Sequence, residues 1–279
     1  MKVVKAEQIT ESIAKLCMDA NYFLGEDMMK AFRDAQNDPE ESPTGKIIMG
    51  QLIENAEIAK NELVQMCQDC GVGVVFIEVG QDVRIEGNLE EAINEGVRKG
   101  YKDGYLRKSM CDPFTRKNTG DNTPAIIHTK IVPGENVKII VAPKGGGSEN
   151  MSGIKMYPPS AGIQGVKDFI IERVTQAGSN PCPPIIVGVG IGGNFEMSAK
   201  LAKEAMLRDV DEHSDIPEIA ELEKEMLEKV NMIGVGPQGL GGKNTALAVH
   251  INYMPCHIAS FPVAININCH AARHKSVTL

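Results

Sequence analysis

The sequence predicts an α/β fold, with mixed sheets flanked by helices in a single large domain spanning 1–279. An α+β arrangement would satisfy the same pattern. Three observations point there. Helical and strand periodicities are mixed along the whole chain. No internal repeat, low-complexity tract or linker interrupts them. The composition, 42% hydrophobic and 24% charged, is that of an ordinary globular protein. A chain of 279 residues can bury a full core unaided. Any metal is therefore expected to serve chemistry rather than hold up the fold.

The elements follow in order. Ile9, Ile13, Leu16, Cys17 and Ala20 recur at helical spacing and predict an amphipathic helix over 6–21. Ser42-Pro43-Thr44 opens a second helical pattern that carries Ile48, Leu52, Ala56, Ile58, Ala59 and Leu63 to about Met66. Cys67-Gln68-Asp69-Cys70-Gly71 follows, with Gly71 suited to reversing the chain. Val72 to Val79 is rich in β-branched residues and predicts a strand. Residues 88–103 predict a polar helix. Ala125–Val132 and Val137–Ala142 predict two strands, and Pro133-Gly134-Glu135-Asn136 between them signals a hairpin. Beyond the loop at 144–148, helices are predicted over 160–177, 195–208 and Pro217–Val230. Ile185–Val189, Thr245–Tyr253 and Pro262–Asn268 predict strands.

Composition also excludes classes of function. Trp is absent, aromatics are 4%, and the net charge is −8 without a Lys/Arg stripe, so nucleic acid is not an expected partner. No apolar run approaches the roughly 18 residues that a membrane span needs. The polar opening Met-Lys-Val-Val-Lys-Ala-Glu does not read as a signal peptide. A cytoplasmic location is expected. Seven cysteines stand at 17, 67, 70, 111, 182, 256 and 269. An odd number in that setting argues against a disulfide framework and for metal or redox roles.

Several motifs carry chemistry, each with a plainer reading beside it. Gly188, Gly190 and Gly193 match G-x-G-x-x-G between a strand and a helix. The acidic residue that a dinucleotide site needs about 20 positions on would be Asp209 or Asp211, and these end a helix instead of a strand. Glycines that let a helix pack closely on a strand are the better reading. Lys144-Gly145-Gly146-Gly147-Ser148 could form a nest of backbone N–H groups for a carboxylate or phosphate, or a mobile surface loop. Cys67 and Cys70 have the spacing of half a zinc site or of a redox pair, but no second C-x-x-C exists. Cys182 sits among Pro181, Pro183 and Pro184, and Cys269 ends a β-branched run before His270. Dispersed thiols are usually small buried hydrophobes, although three of them could hold an iron–sulfur cluster.

At this point the chain resembles a known family: the α subunit of the two-subunit class I fumarases and L-tartrate dehydratases. The resemblance covers nearly the whole length. It is carried by Cys67-Gln68-Asp69, Leu106-Arg107, Gly120-Asp121-Asn122-Thr123-Pro124-Ala125 and Lys144 to Asn150. It continues through Cys182-Pro183-Pro184, Gly236 to Lys243 and Asn268-Cys269. The resemblance implies a [4Fe–4S] cluster held by Cys67, Cys182 and Cys269, with the fourth iron open. It further implies that Gln68, Asp69, Arg107 and Gly146 line the substrate site, with Asp69 as the base. Lys144 and the Gly145–Gly147 backbone are expected to hold one end of a diacid. Where the family usually has Thr after Gln-Asp, this chain has Cys70, expected to fill the Thr volume rather than ligate.

The resemblance also implies a partner. Single-chain relatives continue into a smaller domain that supplies further substrate contacts, so a β subunit is expected to complete the site in a higher oligomer of αβ units. The implied activity is reversible hydration of fumarate to L-malate, and the alternative is dehydration of L-tartrate to oxaloacetate. The two substrates differ by a hydroxyl, which an apolar pocket rejects only about a hundredfold. From other classes, a zinc or redox protein using Cys67 and Cys70 would leave Asp69, Arg107 and the glycine loop unexplained, as would a dinucleotide-binding module.

Overall fold

The computed structural model describes all of residues 1–279. In chain order the first elements are β1 (Lys2–Lys5), α1 (Ala6–Tyr22), α2 (Glu26–Asn37), α3 (Pro43–Glu62), β2 (Val72–Gly80), β3 (Val83–Glu86) and α4 (Leu89–Asp103). Then come β4 (Ile126–Val132), β5 (Val137–Lys144), α5 (Gly146–Glu149), β6 (Gly153–Tyr157) and α6 (Gly162–Ala177). The last are β7 (Ile185–Gly193), α7 (Phe195–Ala205), α8 (Pro217–Asn231), β8 (Ala246–Cys256), β9 (Phe261–Asn268) and β10 (Lys275–Thr278). Mixed sheets flanked by helices are what the sequence predicts. The chain forms two compact units from interleaved segments: Met1–Gly25, Asn55–Gly146 and Arg273–Leu279 in the first, Glu26–Glu54 and Gly147–Ala272 in the second. No helix is long and apolar enough to cross a membrane.

The first unit is built on a four-stranded sheet of order β10-β5-β2-β4. Ile9, Ile13, Leu16 and Cys17 of α1 face Ile93, Val97 and Tyr101 of α4, and both meet Val75, Ile77, Ile139 and Val141 of the sheet. The two helices approach closely. A Cβ on Gly96 would lie 2.7 Å from Ile13 Cβ, and one on Gly100 2.7 Å from Ala14 O. The glycine stripe along the otherwise polar α4 is therefore a packing face. The expected hairpin of β4 and β5 does not form. β2 lies between them, parallel to β4 and antiparallel to β5. The reason is burial: β2 is the most apolar of the three and takes the central position, and the 133–136 turn bonds to its end through Gly80 N–H and Asp82 N–H.

The second unit is built on a sheet of order β6-β9-β7-β8, with β7 parallel to β8 and antiparallel to β9. Its core gathers Val166, Phe169, Ile170 and Val174 of α6, Leu222, Met226 and Val230 of α8, and the inward residues of the strands. α7 lies against β7 so closely that a Cβ on Gly188 would stand 2.1 Å from Ala202 O, and one on Gly190 2.0 Å from Ser198 O. Helix–strand packing, not dinucleotide binding, accounts for these glycines. On the edge strand β8, Glu223 accepts the Ile251 N–H at 2.7 Å. The same carboxylate pairs with Arg208 at 2.7 Å, with side chains 1% and 14% exposed.

Candidate active site

In the first unit the α3–β2 connection, Cys67-Gln68-Asp69-Cys70-Gly71, has no regular secondary structure. Its polar backbone groups must find other partners, and these partners shape the site. Gly71 takes φ +75, and a Cβ there would lie 2.6 Å from Lys144 N. Only glycine allows this turn to enter β2 directly beside the end of β5. The Asp69 carboxylate accepts the Gly71 N–H at 3.0 Å through Oδ1 and the Gly146 N–H at 2.8 Å through Oδ2. The absent side chain of Gly145 makes room for it, since a Cβ would sit 3.2 Å from Oδ2. The glycine segment is thus an ordered helical turn, not a floppy loop, and its Gly146 N–H points at Asp69. Lys144 is 6% exposed and Ser148 3%.

Three successive carbonyls of this connection are held by side chains. Arg273 donates to Asp69 O. The Tyr101 hydroxyl lies 2.7 Å from Cys70 O and 3.0 Å from Gly71 O. Asn122 Nδ2 donates to Gly71 O at 3.1 Å. Sequence reasoning gave none of these three a role. The available signal was that Asn122 lies inside the Gly120–Ala125 motif. Other residues of the motif also make structural contacts. Asn94 Oδ1 accepts the Ala125 N–H at 2.9 Å. Burial works against the Asp121 carboxylate, yet Thr123 and the Arg98 guanidinium hold it down at about 2.

The two cysteines of C-x-x-C part company. Cys70 is fully buried, and burial raises its thiol pKa. Its sulfur accepts the Arg107 N–H at 3.1 Å. That is the packing role expected of a Thr replacement, and it tethers the start of the Arg107 segment. Cys67 is partly exposed, and its sulfur lies 3.4 Å from Asp69 N. Gln68 and Arg107 are exposed.

In the second unit Cys182 is exposed and Cys269 partly so. Cys182 takes φ +55, a conformation that non-glycine residues adopt at a cost. The loops bearing the two cysteines are joined: His270 N–H donates to Cys182 O at 3.2 Å, and His270 Nδ1 lies 3.0 Å from the same oxygen. Gln238 Nε2 donates to Pro183 O at 2.8 Å and sits 3.0 Å from His270 Nδ1. The Gly236–Lys243 motif is therefore the brace behind Cys182. Its far end rests on Glu41, which is 4% exposed and accepts the N–H groups of Lys243 and Asn244.

All seven cysteines are free thiols. The three expected ligands fit an iron–sulfur cluster in kind, being accessible soft donors. Cys111 and Cys256 are accessible as well, so exposure alone does not select the three. Cys67 belongs to the first unit and the other two to the second. No group of three or more His, Cys, Asp or Glu side chains is gathered at metal-binding spacing.

Residues 10–278 match the family described as fumarate hydratase (Fumerase). A protein of Methanocaldococcus jannaschii named putative L(+)-tartrate dehydratase subunit alpha is 43% identical over 273 residues, covering 95% of each chain. L(+)-tartrate dehydratase subunit alpha of Escherichia coli K12 is 31% identical over 274 residues, 97% of this chain and 90% of the relative. The protein of the same name from Shigella boydii matches to the same extent. This chain belongs to the fumarate hydratase (Fumerase) family and is a hydro-lyase.

Proposed function

We propose that the chain is the α subunit of a [4Fe–4S] hydro-lyase that reversibly hydrates fumarate to L-malate. In this reading Cys67, Cys182 and Cys269 hold the cluster and Asp69 is the base. The observation that carries it is the setting of Asp69. The carboxylate stands two residues from an accessible thiol and is oriented by two backbone N–H groups. Each oxygen accepts one N–H and keeps a second lone pair, so the group is aimed without being consumed. A base so placed contributes about 10²–10⁴ in rate when it takes the C3 proton of malate. The exposed Arg107 can grip a substrate carboxylate through two parallel N–H bonds. Gln68, Lys144, Gly145 and Gly147 stand as further substrate contacts, while Gly146 acts first through Asp69. When bound, the cluster supplies a Lewis-acidic iron for the departing hydroxyl.

The relatives named as alpha subunits support a β partner that completes the substrate site in an oligomer of αβ units. A cytoplasmic location and sensitivity to oxygen belong to the same reading. A second reading, dehydration of L-tartrate to oxaloacetate, is favoured by the names of those relatives. The zinc or redox reading of Cys67 and Cys70 is disfavoured by the full burial of Cys70.

The test is to purify the αβ complex without oxygen, count iron and sulfide, and assay fumarate, L-malate and L-tartrate. About four irons and four sulfides per α chain are expected. They should be lost in Cys67→Ser, Cys182→Ser and Cys269→Ser and kept in Cys70→Ser. Iron that depends only on Cys67 and Cys70, or no iron at all, overturns the reading. Turnover of tartrate without turnover of fumarate selects the second substrate.

A further inference from the structure

The buried polar groups behind Asp69 do more than satisfy a loop. Among the side chains that hold carbonyls 69–71, Asn122 also reaches the segment that bears Arg107. Its Nδ2 donates to Gly71 O at 3.1 Å. Its Oδ1 accepts the N–H groups of Ser109 at 2.7 Å and Met110 at 3.1 Å. The side chain is fully buried, and the backbone sits at φ +65, where Asn is tolerated better than most residues. A carboxamide suits this task because it donates from one atom and accepts at the other. Cys70 Sγ, accepting the Arg107 N–H, is a second and weaker tie between the same segments.

We infer that Asn122 is a positioning residue for the reaction, fixing the spacing between Asp69 and Arg107. The inference rests on the roles given to those two residues above. A diacid gripped at Arg107 reacts only if its C–H arrives at Asp69, and an error of about 1 Å can cost roughly a hundredfold in rate. Asp69 and Arg107 both lie in irregular chain, outside any helix or strand, so their separation depends on ties of this kind.

The test uses the αβ complex with Asn122→Gly and Asn122→Asp, both compatible with a positive φ. Asn122→Gly deletes the clamp and is expected to lower kcat/KM about 10- to 100-fold, raise KM for the diacid, and speed amide exchange at Ser109 and Met110. Asn122→Asp keeps an acceptor for those two N–H groups but sets a carboxylate oxygen against Gly71 O. It should keep their exchange protection and still lose turnover. A merely structural role would lower the folded fraction and leave KM per folded complex unchanged. That result, or unaltered exchange at Ser109 and Met110 in Asn122→Gly, overturns the inference. If the unmodified complex turns over none of fumarate, malate and tartrate, the functional reading fails, and exchange still decides whether Asn122 fixes the two segments.

Discussion

His250 on β8 is 1% exposed, with Nδ1 3.1 Å from Ala205 O and Nε2 buried without a partner. Burial, reinforced by the Arg208 cation and opposed by Glu223, lowers its pKa from 6.5 to about 4. In the unfolded chain the imidazole takes up a proton below 6.5, and in the folded chain it stays neutral until about 4. The stability it contributes is therefore present above pH 6.5, falls as the pH drops, and is fully lost below about 4. The drop from 6.5 to about 4, at about 1.4 kcal/mol for each pH unit, is worth ~3 kcal/mol at pH 4. Urea unfolding of the chain and of His250→Leu at pH 7, 5 and 4 isolates this share, since the carboxylates titrate in both. The parent is expected to lose ~3 kcal/mol more than the variant between pH 7 and 4. Parallel losses would refute the reasoning, because they would mean that the ring charges inside the fold at no cost.

Other outcomes follow from single contacts. Glu223→Gln leaves the Arg208 guanidinium without its buried carboxylate and should cost about 3–5 kcal/mol in denaturant unfolding. Arg208→Met in that background should recover part of the loss. Gly190→Ala places a methyl 2.0 Å from Ser198 O and 2.5 Å from Ala202 N. The helix must retreat, so a loss of about 1–3 kcal/mol or more in unfolding free energy is expected, and NAD retention should be absent before and after the change. Tyr101→Phe keeps the core ring and removes the hydroxyl from Cys70 O, which should cost about 1–3 kcal/mol in the same assay.

Much of the fold could be read from local pattern. The apolar repeat of 6–21 is α1, the β-branched run after Gly71 is β2, and the glycines of β7 are packing glycines, because periodicity and turn chemistry act within a few residues. No sequence pattern predicts α2: its stripe of Met28, Met29, Phe32 and Ala35 is short and interrupted by charges. Nor does any pattern predict the short strands β1, β3, β6 and β10. They are too brief to show a period and exist only through their partners.

By itself the sequence determined the chemistry available to this protein: a thiol two residues before Asp69, two more thiols in polar or proline-rich segments, an arginine, and motifs dense enough to identify the family. Tertiary structure alone decided how these are placed. β2 entered between two strands that the 133–136 turn predicts as a hairpin, because strand order is set by burial across the sheet rather than by loop length. Cys70 became core while Cys67 stayed accessible, three residues apart, because the turn at Gly71 points one inward. Asn122, Tyr101 and Arg273 came to hold the Asp69 loop from 30 to 204 residues away in sequence. Hydrogen bonds of that separation leave no periodic trace in a sequence, since only the folded chain brings donor and acceptor together.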